Sequence, residues 1–240
     1  MIPLTVRSYY SLMWGTRSPR KICAVAKQLG YSRLALTDTD NLYGLWPFLN
    51  ACDEMGIAPI VGAELTDPVP GSRAVCLVEN PAGYRNLCRL ITRRHSSEKG
   101  TFDLKSAVPD YAEGLVILTQ SAELLRVWHA AGITVAASVP RRPDATALRL
   151  HKTAQHLCAP VVATPGSFFL VPDDFGAHRV LRAIDRNTSL SRLTPKNVVP
   201  SDAWLAPPSE YRHRFDILPE ALRTTEEIAE RLTFTGPQHD

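Results

Sequence analysis

Residues 33–65 read RLALTDTDNLYGLWPFLNACDEMGIAPIVGAEL. Two short apolar runs, RLALT at 33–37 and IAPIVGAEL at 57–65, enclose a polar turn, Asp38-Thr39-Asp40-Asn41, and a helical stretch at 43–55. A strand that is apolar along its whole length has to be covered on both faces, and helices linking strand to strand supply that cover. The stretch therefore predicts a strand–helix–strand unit of an α/β fold.

The same rhythm extends in both directions. Upstream, IPLTVR at 2–7 alternates as a strand does, and Ser18-Pro19 caps a helix. Ile22, Val25, Ala26 and Leu29 share one face of that helix, and Gly30 ends it. Downstream, strands at 73–78, 115–119, 133–139 and 161–164 are each followed by a helical pattern, at 84–92, 122–130, 145–157 and 173–187. Six or seven such units predict buried parallel strands, either barrel-like or doubly wound. After residue 187 the texture changes. Residues 188–208 are rich in proline and serine and predict irregular chain, and LPEALRTTEEIAERL at 218–232 predicts one amphipathic helix, an appendage or link, with Leu222, Ile228 and Leu232 on its apolar side.

Composition narrows the class. With 240 residues, 45% hydrophobic and 21% charged, the chain holds one ordinary domain, or a large domain with a tail, and is too short for a multidomain enzyme. No apolar run reaches the roughly 18 residues of a membrane span. The start, MIPLTVRSYY, lacks the apolar core of an export signal. Cys23, Cys52, Cys76, Cys88 and Cys158 are odd in number, scattered and free of C-x-x-C pairs. That usage points away from disulfides or a zinc knuckle and toward a reducing, cytoplasmic location. A net charge of +3 permits nucleic-acid contact without requiring it.

In parallel α/β folds, chemistry gathers at the C-terminal strand ends. Those rims carry Asp38 and Glu64, with Asp40 as a third acidic candidate. Asp38 and Glu64 suit paired acid–base work, or else a helix-capping carboxylate and a carboxylate held by backbone amides. None of the seven histidines (His95, His129, His151, His156, His178, His213, His239) falls on a rim, so a packed or solvated role is expected for each. His151 and His156 are five apart, which is not the spacing of a helical zinc pair. The chain contains neither G-x-x-x-x-G-K-S/T nor G-x-G-x-x-G after a strand, and no G-x-S-x-G. Arg89, Arg93, Arg94 and His95 cluster on one helix, and Arg179, Arg182 and Arg186 form a stripe on another. Arg141-Arg142 and Arg212-His213-Arg214 lie in loops. Such clusters can track phosphates, but a solvated face is the commoner meaning.

Taken in order, three segments form a recognisable series: Thr5-Val6-Arg7-Ser8-Tyr9-Tyr10-Ser11-Leu12, residues 34–44 (LALTDTDNLYG) and residues 56–65 (GIAPIVGAEL). They resemble the polymerase-and-histidinol-phosphatase (PHP) domain, and more narrowly the PHP domain that opens bacterial DNA polymerase III alpha subunits. Residues 79–90 (ENPAGYRNLCRL), 161–164 (VVAT), 177–184 (AHRVLRAI), 219–222 (PEAL) and 228–231 (IAER) continue the similarity across nearly the whole chain. Residues 188–205 and Glu98-Lys99-Gly100 lean toward the error-prone, translesion branch.

The resemblance implies a distorted seven-stranded β/α barrel over residues 1–187, with an irregular segment and helix over 188–240. It also implies a metal cluster at the strand ends that active members use for phosphoester hydrolysis. Position by position, most of those ligands are replaced. The family's metal-binding positions fall on Thr5, Arg7, Trp14, Thr39, Arg73, Gly166 and Phe168, and only Glu64 is retained. One glutamate beside two arginines cannot offset the dehydration of divalent ions. Arg7 and Arg73 would repel cations and pair with Glu64 or Asp38, while Trp14 and Phe168 would fill the space.

The expectation is therefore a degenerate, metal-free PHP domain with no enzymatic activity of its own. It would act as a structural or interaction module in DNA replication or translesion repair, partnered by a polymerase body or an exonuclease. Without a polymerase palm domain it would be a fragment or work in trans, and the end soon after residue 232 favours a truncated form. Two alternatives stand beside it. One is a residual phosphoesterase using Asp38, Asp40 and Glu64 with Mg²⁺ or Mn²⁺. The other is an anion-binding module with Arg7 and Arg73 facing phosphate in the barrel mouth.

Overall fold

Six strands pair in the order in which they occur along the chain, forming one curled sheet wrapped by helices. The computed structural model describes residues 1–68, 72–98, 100–140 and 144–237. Lys99, Arg141-Arg142 and His239 lie outside the described residues. The strands are β1 (Arg33–Thr39), β2 (Ala58–Thr66), β3 (Arg73–Val78), β4 (Leu115–Thr119), β5 (Val135–Pro140) and β6 (Val161–Thr164). Helices α1 (Pro19–Gln28), α2 (Leu45–Met55), α3 (Pro81–Ser96), α4 (Leu104–Ala107), α5 (Ala122–Ala130), α6 (Ala145–Leu157), α7 (Asp174–Asp185), α8 (Pro208–Arg214) and α9 (Pro219–Arg231) accompany them.

The helix starts follow the sequence. Ser18 accepts from Lys21 N with Pro19 in the first turn of α1. Asn80, Asp103, Ser121 and Asp144 do the same work for α3, α4, α5 and α6. Gly56 adopts φ 62° and stops α2.

The all-parallel reading is corrected at β3. β1 and β2 pair parallel, as do β4 with β5 and β5 with β6, but β3 runs antiparallel to both its neighbours. A parallel return needs a crossover of about a dozen residues or more, and the link from Thr66 to Arg73 is too short for one. Among the described residues the ladder has six strands where seven were expected. Residues 2–7 run extended beside β1, with Pro3 O accepting from Ala35 N and Val6 O from Thr37 N. On its other side this segment bonds Ser167 through Arg7 N and Thr5 O.

Side chains alternate between two faces. The outer face of the sheet packs against α3–α6, burying residues such as Cys76, Ile117, Trp128 and Ala137. The inner face buries Ala35, Ile60, Leu77, Val116, Ala136 and Val162. All six lie toward one end of the sheet, near the starts of the parallel strands and the end of reversed β3.

Helix α9 closes that end. Ile228, Ala229 and Leu232 join the inner cluster, so α9 is an integral part of the core and not an appendage. Thr225 Oγ1 accepts from Ala163 N of β6 at 2.9 Å and donates to Ala221 O, fixing the helix against the last strand. Arg33 donates to Leu232 O at 2.8 Å from the far edge. Each large aliphatic side chain buried this way contributes roughly 1.5–3 kcal/mol.

Candidate functional site

With one end of the sheet plugged by α9, the other end opens into a cavity of about 530 Å³. Hairpin geometry sets its charged wall. Glu64 pairs with Val75 and Thr66 with Arg73 across β2 and β3, so Glu64 and Arg73 share the inner face two residues apart in register. Thr39 stands opposite Glu64 on β1. Arg7 arrives from the extended N-terminal segment.

These residues meet in one cluster. Arg7 Nη2 donates to Glu64 Oε1 at 2.5 Å and Arg7 Nε to Oε2 at 3.3 Å, a two-pronged contact with both side chains buried. Thr39 Oγ1 donates to Oε2 at 3.1 Å, and Arg73 Nη1 lies 3.4 Å from the same oxygen. Burial alone would push the Glu64 carboxyl up. The Arg7 and Arg73 guanidiniums, helped by hydrogen bonds from Arg7 and Thr39, hold it below the usual carboxylate range. Glu64 is a filled acceptor.

Asp38 and Asp40 do not join it. Asp38 Oδ1 accepts from Ser8 N and Ser11 Oγ, each at 2.7 Å, and Oδ2 accepts from Ser8 Oγ at 2.7 Å. The carboxylate thus ties the 8–11 loop to the end of β1, and burial pushes it upward against those bonds. Gly15 completes the loop, because a Cβ there would sit 1.8 Å from Ser8 O. Asp40 turns toward β2, accepting from Thr66 N at 2.8 Å and Thr66 Oγ1 at 2.6 Å, with Arg94 3.5 Å away. The three acidic candidates have three separate sets of partners.

Aromatic rings and guanidiniums occupy the rest of the rim. The Arg7 guanidinium lies 4.4 Å over the Phe168 ring, and Arg73 lies 5.7 Å from Trp14. Arg182 stacks 3.5 Å from the Trp14 centroid and is almost wholly buried. Such contacts favour cations over aromatic faces. His178 sits against Trp14 and Phe168, its Nδ1 2.9 Å from Trp14 O, while Val199 N donates to its Nε2 at 3.1 Å. The two bonds select the neutral tautomer protonated at Nδ1. Burial, reinforced by Arg182, lowers its pKa below the ordinary histidine value. Thr5 and Gly166 line the cavity beside Thr164 and Ser138, and Thr5 Oγ1 accepts from Gly166 N at 3.1 Å.

His178 and Arg182 are site residues that the rims alone did not disclose. Their signal lay on α7, where Asp174, His178 and Arg182 recur at i, i+4 and i+8 and all are buried. The stripe expected from Arg179, Arg182 and Arg186 is broken by that burial, and Arg179 donates to Leu190 O. On α3, Arg93 pairs with Asp110, Arg94 bonds Thr66 O and His95 Nε2 contacts Asp40 O at 2.6 Å, so this cluster is tied into the fold.

Among the described residues no three His, Cys, Asp or Glu side chains gather as a metal site, and no helix is long and apolar enough to cross a membrane. The chain is 30% identical to DNA polymerase III subunit alpha of Neisseria meningitidis serogroup A, over 96% of this chain and 23% of that protein. It is 28% identical to an error-prone DNA polymerase of Symbiobacterium thermophilum, over 96% and 25% respectively. It thus spans about a quarter of the length of these relatives. The fold is similar to an amidohydrolase from Chromobacterium violaceum solved with sulfate and no metal, at TM-score 0.51 and 15% identity, covering 70% of this chain and 87% of that one. A model of the PHP domain matches residues 3–147, more than half the chain, and together with these relatives it shows that the chain belongs to the PHP domain family.

Proposed function

We propose that this chain is a PHP domain whose metal centre has been replaced by arginine contacts. It serves as a structural and protein-interaction module of a polymerase III-type machinery in DNA replication or translesion repair. The observation that carries this reading is the filled Glu64 carboxylate, which accepts from Arg7 and Thr39 with Arg73 beside it. The metal implied by the family does not fit the donor set. Divalent ions need several oxygen or imidazole donors, and among the described residues lining the cavity Glu64 supplies the sole carboxylate. An ion could reach it only by displacing a buried guanidinium.

In this reading the extended segment at 2–7 stands for the first of seven barrel strands, supported by its bonds to β1 on one side and Ser167 on the other. The setting is cytoplasmic, and the partners are a polymerase body or an exonuclease. The test is metal analysis of the purified chain together with hydrolysis of a generic phosphoester in Mn²⁺ and in Mg²⁺. Neither bound metal nor turnover is expected. Stoichiometric metal with turnover abolished by Glu64→Gln would overturn the proposal in favour of the residual phosphoesterase.

A second reading has one observation in its favour. Arg73 is 51% exposed, and with Arg7 it places two guanidiniums against one carboxylate in a cavity that Ser121, Ser138 and Thr164 also line. That surplus of positive charge suits an oxyanion. Titration with inorganic phosphate at constant ionic strength would show saturable binding that Arg73→Ala removes. Absence of binding at high phosphate retires this reading.

A further inference from the structure

Helix α7 is inside out. Three of its four buried positions, Asp174, His178 and Arg182, are polar because they hold Arg17, the Trp14 carbonyl and the Trp14 ring, and the fourth is the small Ala183. The apolar Val180 and Ile184 are thereby turned to solvent, and Ile184 is 60% exposed. A helix on the surface of an ordinary domain shows the reverse pattern.

The chain beyond α7 folds back along this face. Asn187 adopts φ 45°, Thr188 N donates to Ala183 O at 2.9 Å, and Arg179 Nη2 donates to Leu190 O at 3.0 Å. The result is an open groove of about 500 Å³ lined by Val180, Ala183, Ile184, Thr188 and Leu190.

Charge decides what fits there. Within residues 177–196 the buried Arg182 pairs with Asp185 at 3.0 Å, which leaves the basic Arg179, Arg186, Arg192 and Lys196 and makes the stretch more positive than the +3 of the entire chain. Arg192 and Lys196 make no ion pair among the described residues. A second copy is disfavoured, because a two-fold contact would set basic rim against basic rim. A nucleic acid would satisfy the rim but leave the apolar floor without a partner.

We infer that the α7 groove docks an amphipathic helix of a partner protein, its apolar face seated on Val180, Ile184 and Leu190 and its flanks acidic. This gives the interaction module a docking face and rests on that reading. The recognition is of the helix-in-groove kind, with anchors at i, i+4 and i+7.

The probes are two fluorescent peptides of about 15 residues that share leucines at i, i+4 and i+7, one otherwise glutamate-rich and the other lysine-rich. Against the full chain, the acidic peptide is expected to bind at least about tenfold more tightly than the basic one, and to weaken as salt rises. Ile184→Asp, and separately Arg192→Glu with Lys196→Glu, remove that preference. Leu148→Asp on α6, also an exposed apolar position, leaves it unchanged. Circular dichroism melts of all variants confirm that they fold. Equal affinity for the two peptides, no binding of the acidic one, or insensitivity to Ile184→Asp overturns the assignment. A dimer in sedimentation that Ile184→Asp dissolves would overturn it in favour of a second copy. Failure here leaves the metal-free reading standing, since the Mn²⁺ and Mg²⁺ experiment tests that reading separately.

Discussion

Replacing Glu64 with glutamine changes one oxygen to an amide nitrogen at the centre of the barrel mouth, and it separates the arginine-locked reading from a metal-binding one. Glu64 is 4% exposed and Arg7 is 6% exposed. In Glu64→Gln the side chain can still accept one bond from Arg7, but its amide N–H groups then face two guanidiniums. Arg7 keeps its charge and loses the counter-charge. Breaking a buried pair by removing one partner costs about 3–5 kcal/mol. The Phe168 ring 4.4 Å from the Arg7 guanidinium is present in wild type and variant alike and leaves this difference unchanged. For a domain of this size the loss lowers Tm by roughly 6–20 °C.

The assay is a pair of melts, wild type and variant, repeated across pH. Glu64 has a folded pKa below its unfolded value. Its contribution is therefore present above about pH 4.3 and lost as pH falls from there toward the folded value. The gap between the two proteins should be full at pH 7 and shrink below about pH 4. Removing both charges with Arg7→Met and Glu64→Leu should cost less than Glu64→Gln alone, because no orphaned charge is left. A variant as stable as the wild type, or more stable, would refute the reasoning. That result is what an unsaturated carboxylate waiting for a cation would give, since removing its charge relieves a burial penalty.

Three further outcomes follow from the same contacts. His178, held neutral between Trp14 O and Val199 N with a lowered pKa, should stay uncharged by NMR below about pH 6.5, and stability should decline with pH beneath that point, a slope that His178→Gln removes. Thr225→Ala leaves Ala163 N without its acceptor and should cost about 1–3 kcal/mol in chemical denaturation, whereas Thr224→Ala on the same helix should be near neutral. Thiol labelling should modify exposed Cys158 first and leave Cys76 untouched until unfolding, since burial pushes the Cys76 thiol up to about 12.

How far the sequence disclosed the fold depends on which signal each element carries. The order of strands and helices was visible because the strands are largely apolar and α1, α3, α5 and α6 begin at side-chain caps, whereas α2, α7 and α9 begin without one. The direction of β3 was not marked by RAVCLV, since apolar runs look alike in either sense. The short 66–73 link was the clue. The role of α9 was hidden for a related reason. Ile228 and Leu232 predict an apolar face but do not say what it meets, and only sheet curvature brings the strand starts together beneath it. The short helix α8 lacks a side-chain cap, so its start carried no such mark, and Arg212-His213-Arg214, expected in a loop, lie on this helix.

At the rim, sequence position showed which residues share an end of the sheet, and side-chain length decided which of them touch. Arg7 reaches Glu64 from outside the ladder, one of the two pairings expected for it, while Asp38 is taken by Ser8 and Ser11. Arg182 was legible only as part of a basic stripe, yet it is the most deeply stacked cation near the mouth. The physical link between rim and surface is α7. Once Trp14 and Phe168 occupy the mouth, the helix behind them must offer His178 and Arg182 inward to satisfy the Trp14 carbonyl and ring. A helix has one set of positions for each face, so this inward polarity forces Val180 and Ile184 outward. The aromatic filling of the barrel mouth and the exposed apolar groove along α7 are thus two consequences of one packing choice. Replacing Trp14 with histidine removes the ring on which Arg182 stacks and should loosen the groove that α7 presents.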